Sequence, residues 1–202
     1  MFRLAYSLLI IASIARGFQQ ETNAIDPERE KDVYAIYSLM LTNPKTSHGA
    51  DKAGRYLIRA TTVPGSPQVP CVRPPKEREA DFGEVLADFE RRSDTARQLE
   101  RKLSIQKPYV LLNAEQAKQF IEEHSLHPNR PKPREQQFLG VADLYSLSDV
   151  YLNPRRTLAL TAISSWCGLL CGSFQWKVFE KTESGKWEEL DWSTCMVVAR
   201  IY

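Results

Sequence analysis

From Tyr145 to the end the chain stops spacing its apolar residues at helical intervals and begins to alternate them, and this change of period constrains the fold more than any other feature. Tyr145 to Leu152, Thr157 to Ser164, Phe174 to Lys181, Trp187 to Trp192 and Met196 to Tyr202 read as five strands. Asn153-Pro154 and Glu183-Ser184-Gly185-Lys186 are the clearest turns between them. Within Phe174-Gln175-Trp176-Lys177-Val178 apolar and polar residues alternate, as they must when one sheet face is buried and the other wet.

The earlier part is helical in character. Asp26-Pro27-Glu28 opens a helix: Asp caps free amides, Pro is tolerated at the first helical position, and Glu suits the positive dipole end. Val33, Ile36, Tyr37, Met40 and Leu41 follow on one face, and Asn43-Pro44 stops the run. Between Glu77 and Leu103, Phe82, Val85, Leu86, Phe89, Ala96, Leu99 and Leu103 recur at steps of three and four, predicting one long amphipathic helix or two with a break near Ser93-Asp94. Asn113-Ala114-Glu115-Gln116 is a capping pattern for a further helix, with Ala117, Phe120 and Ile121 on one face and an end near His124. Tyr56 to Val63 and Tyr109 to Leu112 read as short strands, and the segments 64–75, with five prolines, and 124–137 as loops. Helices first and consecutive strands afterwards predict an α+β fold, with N-terminal helices packed on a mainly antiparallel β-meander sheet of about five strands.

Residues 1–17 read as a secretory signal peptide: Arg3, an apolar run from Leu4 to Ala15, and small-x-small cleavage sites at Ser13-Ile14-Ala15 and Ala15-Arg16-Gly17. The run is shorter than the roughly 20 residues that span a bilayer, so the expectation is cleavage, no integral membrane span afterwards, and one domain over 18–202 in the periplasm or outside the cell. The chain has 27 Lys and Arg against 25 Asp and Glu; without Arg3 and Arg16 the balance is 25 against 25. A neutral chain has no basic face able to displace counterions from phosphates, which argues against a nucleic-acid partner. Export makes the four cysteines legible as disulfides. Cys167–Cys171 across a turn and Cys71–Cys195 is the favoured pairing. In the rival scheme Cys71, in its Pro-rich loop, is unpaired or bonded elsewhere. A Cys71–Cys195 bridge closes more than a hundred residues, for an idealised gain of roughly 4–5 kcal/mol.

Several motifs occur in a shared order: Asp88-Phe89-Glu90, Tyr109 to Gln116, Phe138 to Ala142, Tyr145 to Asn153, the strand from Thr157 to Leu160, Cys167-Gly168-Leu169-Leu170-Cys171-Gly172, Lys181 to Trp187, and Trp192-Ser193. Over roughly residues 80–195 the chain resembles a family of uncharacterised exported bacterial proteins. Their C-terminal β-meander carries "S.vgFn", "CG.LCG", "leK..g.W" and "W.S" in sequence. Tyr151-Leu152-Asn153 stands where that family has Phe-Asn, and Cys195 is additional. The resemblance implies secretion and an α+β fold, and no known chemistry.

No catalytic, cofactor or metal site is read from the residues. A Cys nucleophile activated by His124 or His127 competes with pairing of the same sulfurs in an oxidising compartment. The Cys-x-x-x-Cys spacing differs from the Cys-x-x-Cys of thioredoxin-like sites. His124-Ser125-Leu126-His127 with Glu122 or Glu123 lacks the His-Glu-x-x-His arrangement of zincins and suits a helix end, where histidines complement the dipole. Ser146, Ser148 and Asp149 lack a Gly-x-Ser-x-Gly elbow, and Glu188-Glu189 is an ordinary surface pair. The most concentrated feature is aromatic: Trp166, Phe174, Trp176, Phe179, Trp187 and Trp192. Phe174, Trp176 and Val178 share a face and read as core, and the tryptophans 166, 176, 187 and 192 are the candidates for a binding platform. The expected function is a non-catalytic secreted or periplasmic binding or structural module that meets a cell-envelope ligand or a protein partner and uses no cofactor. The alternative is a small secreted hydrolase or thiol- or metal-dependent enzyme using His124, His127 or a Cys.

Overall fold

The computed structural model describes residues 26–42, 54–64, 70–125, 138, 143–168, 171–194 and 196–198. The leader, His127 and Cys195 lie outside these residues. Helix α1 spans Pro27–Thr42, with the Asp26 carboxylate accepting from the Glu28 amide at 3.0 Å as its cap. Strand β1 is Tyr56–Arg59 and β2 is Val72–Arg73, inside the segment read as loop 64–75. A 3-10 turn at Lys76–Arg78 leads into α2, Glu79–Arg92. Strand β3 is Tyr109–Leu112 and α3 is Ala114–His124. The remaining strands are β4 Leu144–Leu147, β5 Tyr151–Leu152, β6 Leu158–Gly168, β7 Cys171–Lys181, β8 Trp187–Leu190, β9 Ser193–Thr194 and β10 Met196–Val198.

The α+β class holds, but the sheet is larger than five strands and is mixed. Its order is β10-β7-β6-β4-β1-β3, with β5 also paired to β6 and β8 to β7, while β2 and β9 form a separate pair. The β4–β8 region is antiparallel, as expected, but β1 runs parallel to both β3 and β4. The cause is the alternation β1-α2-β3-α3-β4: a strand followed by a helical crossover returns in the same direction.

Two other expectations are corrected. The segment after α2 is extended: the Thr62 amide donates to the Arg97 carbonyl and the Leu99 amide to Ala60, so this segment runs beside the chain leaving β1. Leu99 and Leu103 are buried as their spacing implied, but without a helix, and Ala96 is exposed. The strand expected from Tyr145 to Leu152 is two strands, interrupted at Ser148–Val150.

The molecule has three layers. On one face α1 packs Val33, Ile36, Tyr37 and Met40 against Tyr56, Ile58, Tyr145, Leu147, Ile163 and Phe179. On the other, α2 sets Phe82 and Val85 on Leu158, Leu160, Ala162, Trp176 and Val178. Beside it α3 sets Ala117 and Phe120 on Leu57, Leu112 and Leu144. Each fully buried side chain of this size contributes roughly 1.5–3 kcal/mol. Among the described residues no helix is long and apolar enough to cross a membrane.

Candidate functional site

Strand alternation sends Ala162, Ser164 and Trp166 of β6, and Trp176, Phe174 and Gly172 of β7, to the face that carries α2 and α3. The two helices cover this face unequally. Over Leu158–Ala162 it lies under α2, and Trp176 there is only 2% exposed. At Trp166 it meets α3, whose Phe120 ring stands edge-on to the indole at 5.8 Å. Ser164 falls between the two footprints and is half-buried, as are Phe174 directly across from it and Trp166 two residues along. Ser146 of β4 pairs with Ser164 on the other side. Ser146 is buried, 8% exposed, while Ser164, Trp166 and Phe174 form a half-buried, uncharged stretch of this face. Phe174 leans on Trp176 at 5.6 Å, and Trp166 on Phe120 and His124.

The platform expected from four tryptophans is therefore divided. Trp176 and Trp187 are core residues, 2% and 8% exposed, and offer no binding surface. Trp187 also donates its Nε1–H to Asp32 Oδ1 at 3.0 Å on the α1 side. Trp192 is half-buried, edge-on to Phe82 at 5.7 Å, with the Arg78 guanidinium 5.9 Å from its ring. Of the four, only Trp166 lies on the half-buried stretch of the sheet face beside Ser164.

Among the described residues no cysteine is free; Cys71 and Cys167 are each disulfide-bonded. Val72 pairs with Thr194, their sequence neighbours being Cys71 and Cys195, and Gly168 pairs with Cys171. His124 closes α3 with its Nδ1 2.8 Å from the Phe120 carbonyl oxygen, and its ring stacks on Phe120 at 4.2 Å. No group of three His, Cys, Asp or Glu able to hold a metal occurs among the described residues.

A second polar constellation, which sequence reasoning missed, fills the interruption between β4 and β5. Asp88 of α2, 3% exposed, accepts from Arg29 of α1 at 2.9 Å, from Arg91 at 2.5 Å and from the Leu152 amide at 3.1 Å. Asp149, 2% exposed, pairs with Arg92 and with Arg97 Nε at 3.2 Å, and accepts from the Val150 amide at 2.9 Å. Burial raises the Asp149 pKa above its usual 3.8, while Arg97 and Arg92 pull it back down. Burial and then the Asp149 charge push the neighbouring Tyr151 phenol up. Tyr37 donates to the Ser148 carbonyl at 2.7 Å, and Ser148 Oγ accepts from the Ala162 amide at 2.8 Å. The signal in the sequence was three polar residues, Ser146, Ser148 and Asp149, inside an apolar strand run, which need internal partners if buried. The arrangement cross-links α1, α2 and the sheet.

A crevice of about 260 Å³ opens at the carboxyl ends of β1 and β3, with Arg59, Thr61, Thr62 and Asn113 on its walls. No protein-family model, curated protein or solved structure matches this chain.

Proposed function

We propose that this chain is a non-catalytic binding or structural module of an exported protein, periplasmic or extracellular, whose β-meander is stabilised by disulfides Cys167–Cys171 and Cys71–Cys195. The observation that carries the reading is the bonded state of Cys71 and Cys167, because disulfides persist in oxidising compartments and a bonded sulfur is no nucleophile. The registers Gly168 with Cys171 and Val72 with Thr194 support that pairing. The resemblance to exported bacterial proteins points the same way. The buried carboxylates support a scaffold role, since both are engaged by arginines and backbone amides. The half-buried Trp166 and Phe174 supply the aromatic surface for binding.

A thiol enzyme is the second reading, and one contact favours it: α3 brings His124 to the end of β6, where a Cβ on Gly168 would lie 3.5 Å from the His124 carbonyl oxygen. The test is the intact mass of protein recovered from an oxidising compartment, alkylated before and after reduction. The proposal expects a chain lacking its leader, no alkylation before reduction and four alkylated thiols after it. A thiol that alkylates without reduction contradicts the bridge at that residue and makes it the nucleophile of the second reading.

A further inference from the structure

We infer that the crevice at the carboxyl ends of β1 and β3 binds a small monocarboxylate with an apolar body; the site lies apart from the aromatic surface and adds a second binding surface to the module. The carboxyl ends of parallel strands are where α/β sheets leave room for ligands. Arg59 ends β1 directly across from Leu112 of β3, and alternation sends it to the same face as Leu57, the face that carries α3. Its side chain lines the crevice with Asn113, Ala114 and Ala117 of the α3 start, where the positive end of the helix dipole adds to its charge. The other half-buried arginines, Arg29, Arg78, Arg92, Arg97 and Arg156, each pair with a carboxylate. Arg59, also half-buried, has no hydrogen bond or ion pair to any described residue, and no Asp or Glu is among the described residues lining the crevice.

Thr62 carries a second, independent signal. It lines the same crevice at 2% exposure, and its Oγ1 accepts from the Arg97 amide at 2.8 Å while its own O–H donates to no described residue. Asn113 spends its Oδ1 on the Gln116 amide, which leaves its side-chain N–H groups over. The groups left at Arg59, Thr62 and Asn113 are donors, so the ligand must bring a group that only accepts, as an ionised carboxylate does. A guanidinium meets both oxygens of one carboxylate with its fork, whereas a phosphate dianion would want a second cation. Val63, Pro64, Ala96 and Ala117 supply apolar wall for the rest of the molecule. The volume of about 260 Å³ falls below the roughly 300–1,000 Å³ of sites for drug-sized ligands, so the acid is small.

The experiment titrates the full chain by calorimetry with benzoate, phenylacetate and butyrate, using benzamide and inorganic phosphate as the uncharged and the more highly charged comparisons. The backbone amide signals of Arg59, Thr62 and Ala114 in a 15N-edited spectrum locate the site. At least one of the three acids is expected to bind and to shift those signals, with benzamide and phosphate weaker by about tenfold or more. Arg59→Gln is expected to weaken the acid by about tenfold or more, and Arg59→Lys, which keeps the charge and loses the fork, to fall between Gln and wild type. Arg101→Gln, an exposed arginine outside the crevice, leaves binding unchanged. Arg59 holds no described carboxylate, so the urea midpoint of Arg59→Gln should match wild type; if it falls, Arg59→Lys carries the comparison. No binding by any of the three acids, binding that survives at full strength in both Arg59 variants, or benzamide or phosphate bound as tightly as the best acid overturns the inference. The binding-module reading fails separately: chemical conversion of the bound acid ends the non-catalytic assignment and leaves the site in place, and a free thiol breaks the disulfide scheme without touching the crevice.

Discussion

Two polar regions lie close together on the sheet and treat their polar groups in opposite ways. At the interruption between β4 and β5, Asp149 and Asp88 are almost wholly buried and every carboxylate is surrounded by guanidinium and amide donors. One row away, the half-buried Ser164 sits between the half-buried rings of Trp166 and Phe174 on an uncharged stretch of the sheet face. The first region resembles the interior of a joint: removing one partner strands the others in a low-dielectric site. The second resembles a surface waiting for partners. Buried polarity in this molecule marks architecture, and half-exposed polarity marks the surface open to a partner.

The largest effect expected from breaking this contrast is at Asp88. Asp88→Ala takes the carboxylate from the partly buried Arg29, leaves Arg92 with Asp149 alone and removes the acceptor of the Leu152 amide, at a cost of about 3–5 kcal/mol. Urea titration reads it as a lower midpoint with unchanged slope. Trp176→Ala should cost a similar 3–5 kcal/mol by cavity formation, whereas Ser164→Val should fall within about 0.5 kcal/mol of wild type. Equal losses in these two would erase the distinction between the core and the half-buried stretch of the sheet face. Asn113→Ala, which removes the α3 cap, should cost about 1 kcal/mol, because its side chain accepts from the Gln116 amide at 2.9 Å.

The smallest effect is on pH dependence. Burial raises the Asp149 pKa above 3.8, so the native state holds this proton more tightly than the unfolded chain does. The stability this group contributes is complete below pH 3.8 and is lost as pH rises through the raised value. Wild type should therefore lose Tm relative to Asp149→Asn as pH is raised through the window that opens at 3.8. A difference that stays constant over that window would show that the two arginines hold the carboxylate at its ordinary value.

Local signals in the sequence were reliable where neighbours in the chain decide the outcome. The Asp26-Pro27 opening starts α1, and Asn113 with Gln116 forms the reciprocal capping box of α3. The alternation from Phe174 to Val178 placed β7 correctly against β6. Outcomes set by remote partners were illegible. The four residues of β1 carry no mark of their parallel neighbours β3 and β4, which follow from helical crossovers. Leu99 and Leu103 kept helical spacing yet lie outside any helix, because backbone bonds to Ala60 and Thr62 hold Arg97 to Leu99 in an extended run. Trp166, Phe174 and Trp176 share one face by alternation. Which is buried and which half-exposed depends on where α2 and α3 end their footprints, and no local pattern encodes that.

The most direct test of the central contrast is the set of four indole N–H signals in a 15N-edited spectrum of the full chain, followed through solvent exchange. The account predicts slow exchange at Trp187, whose N–H is bonded to buried Asp32, and at Trp176, with faster exchange at Trp166 and Trp192. Fast exchange at Trp176 or Trp187, or exchange at Trp166 as slow as at those two, would contradict it.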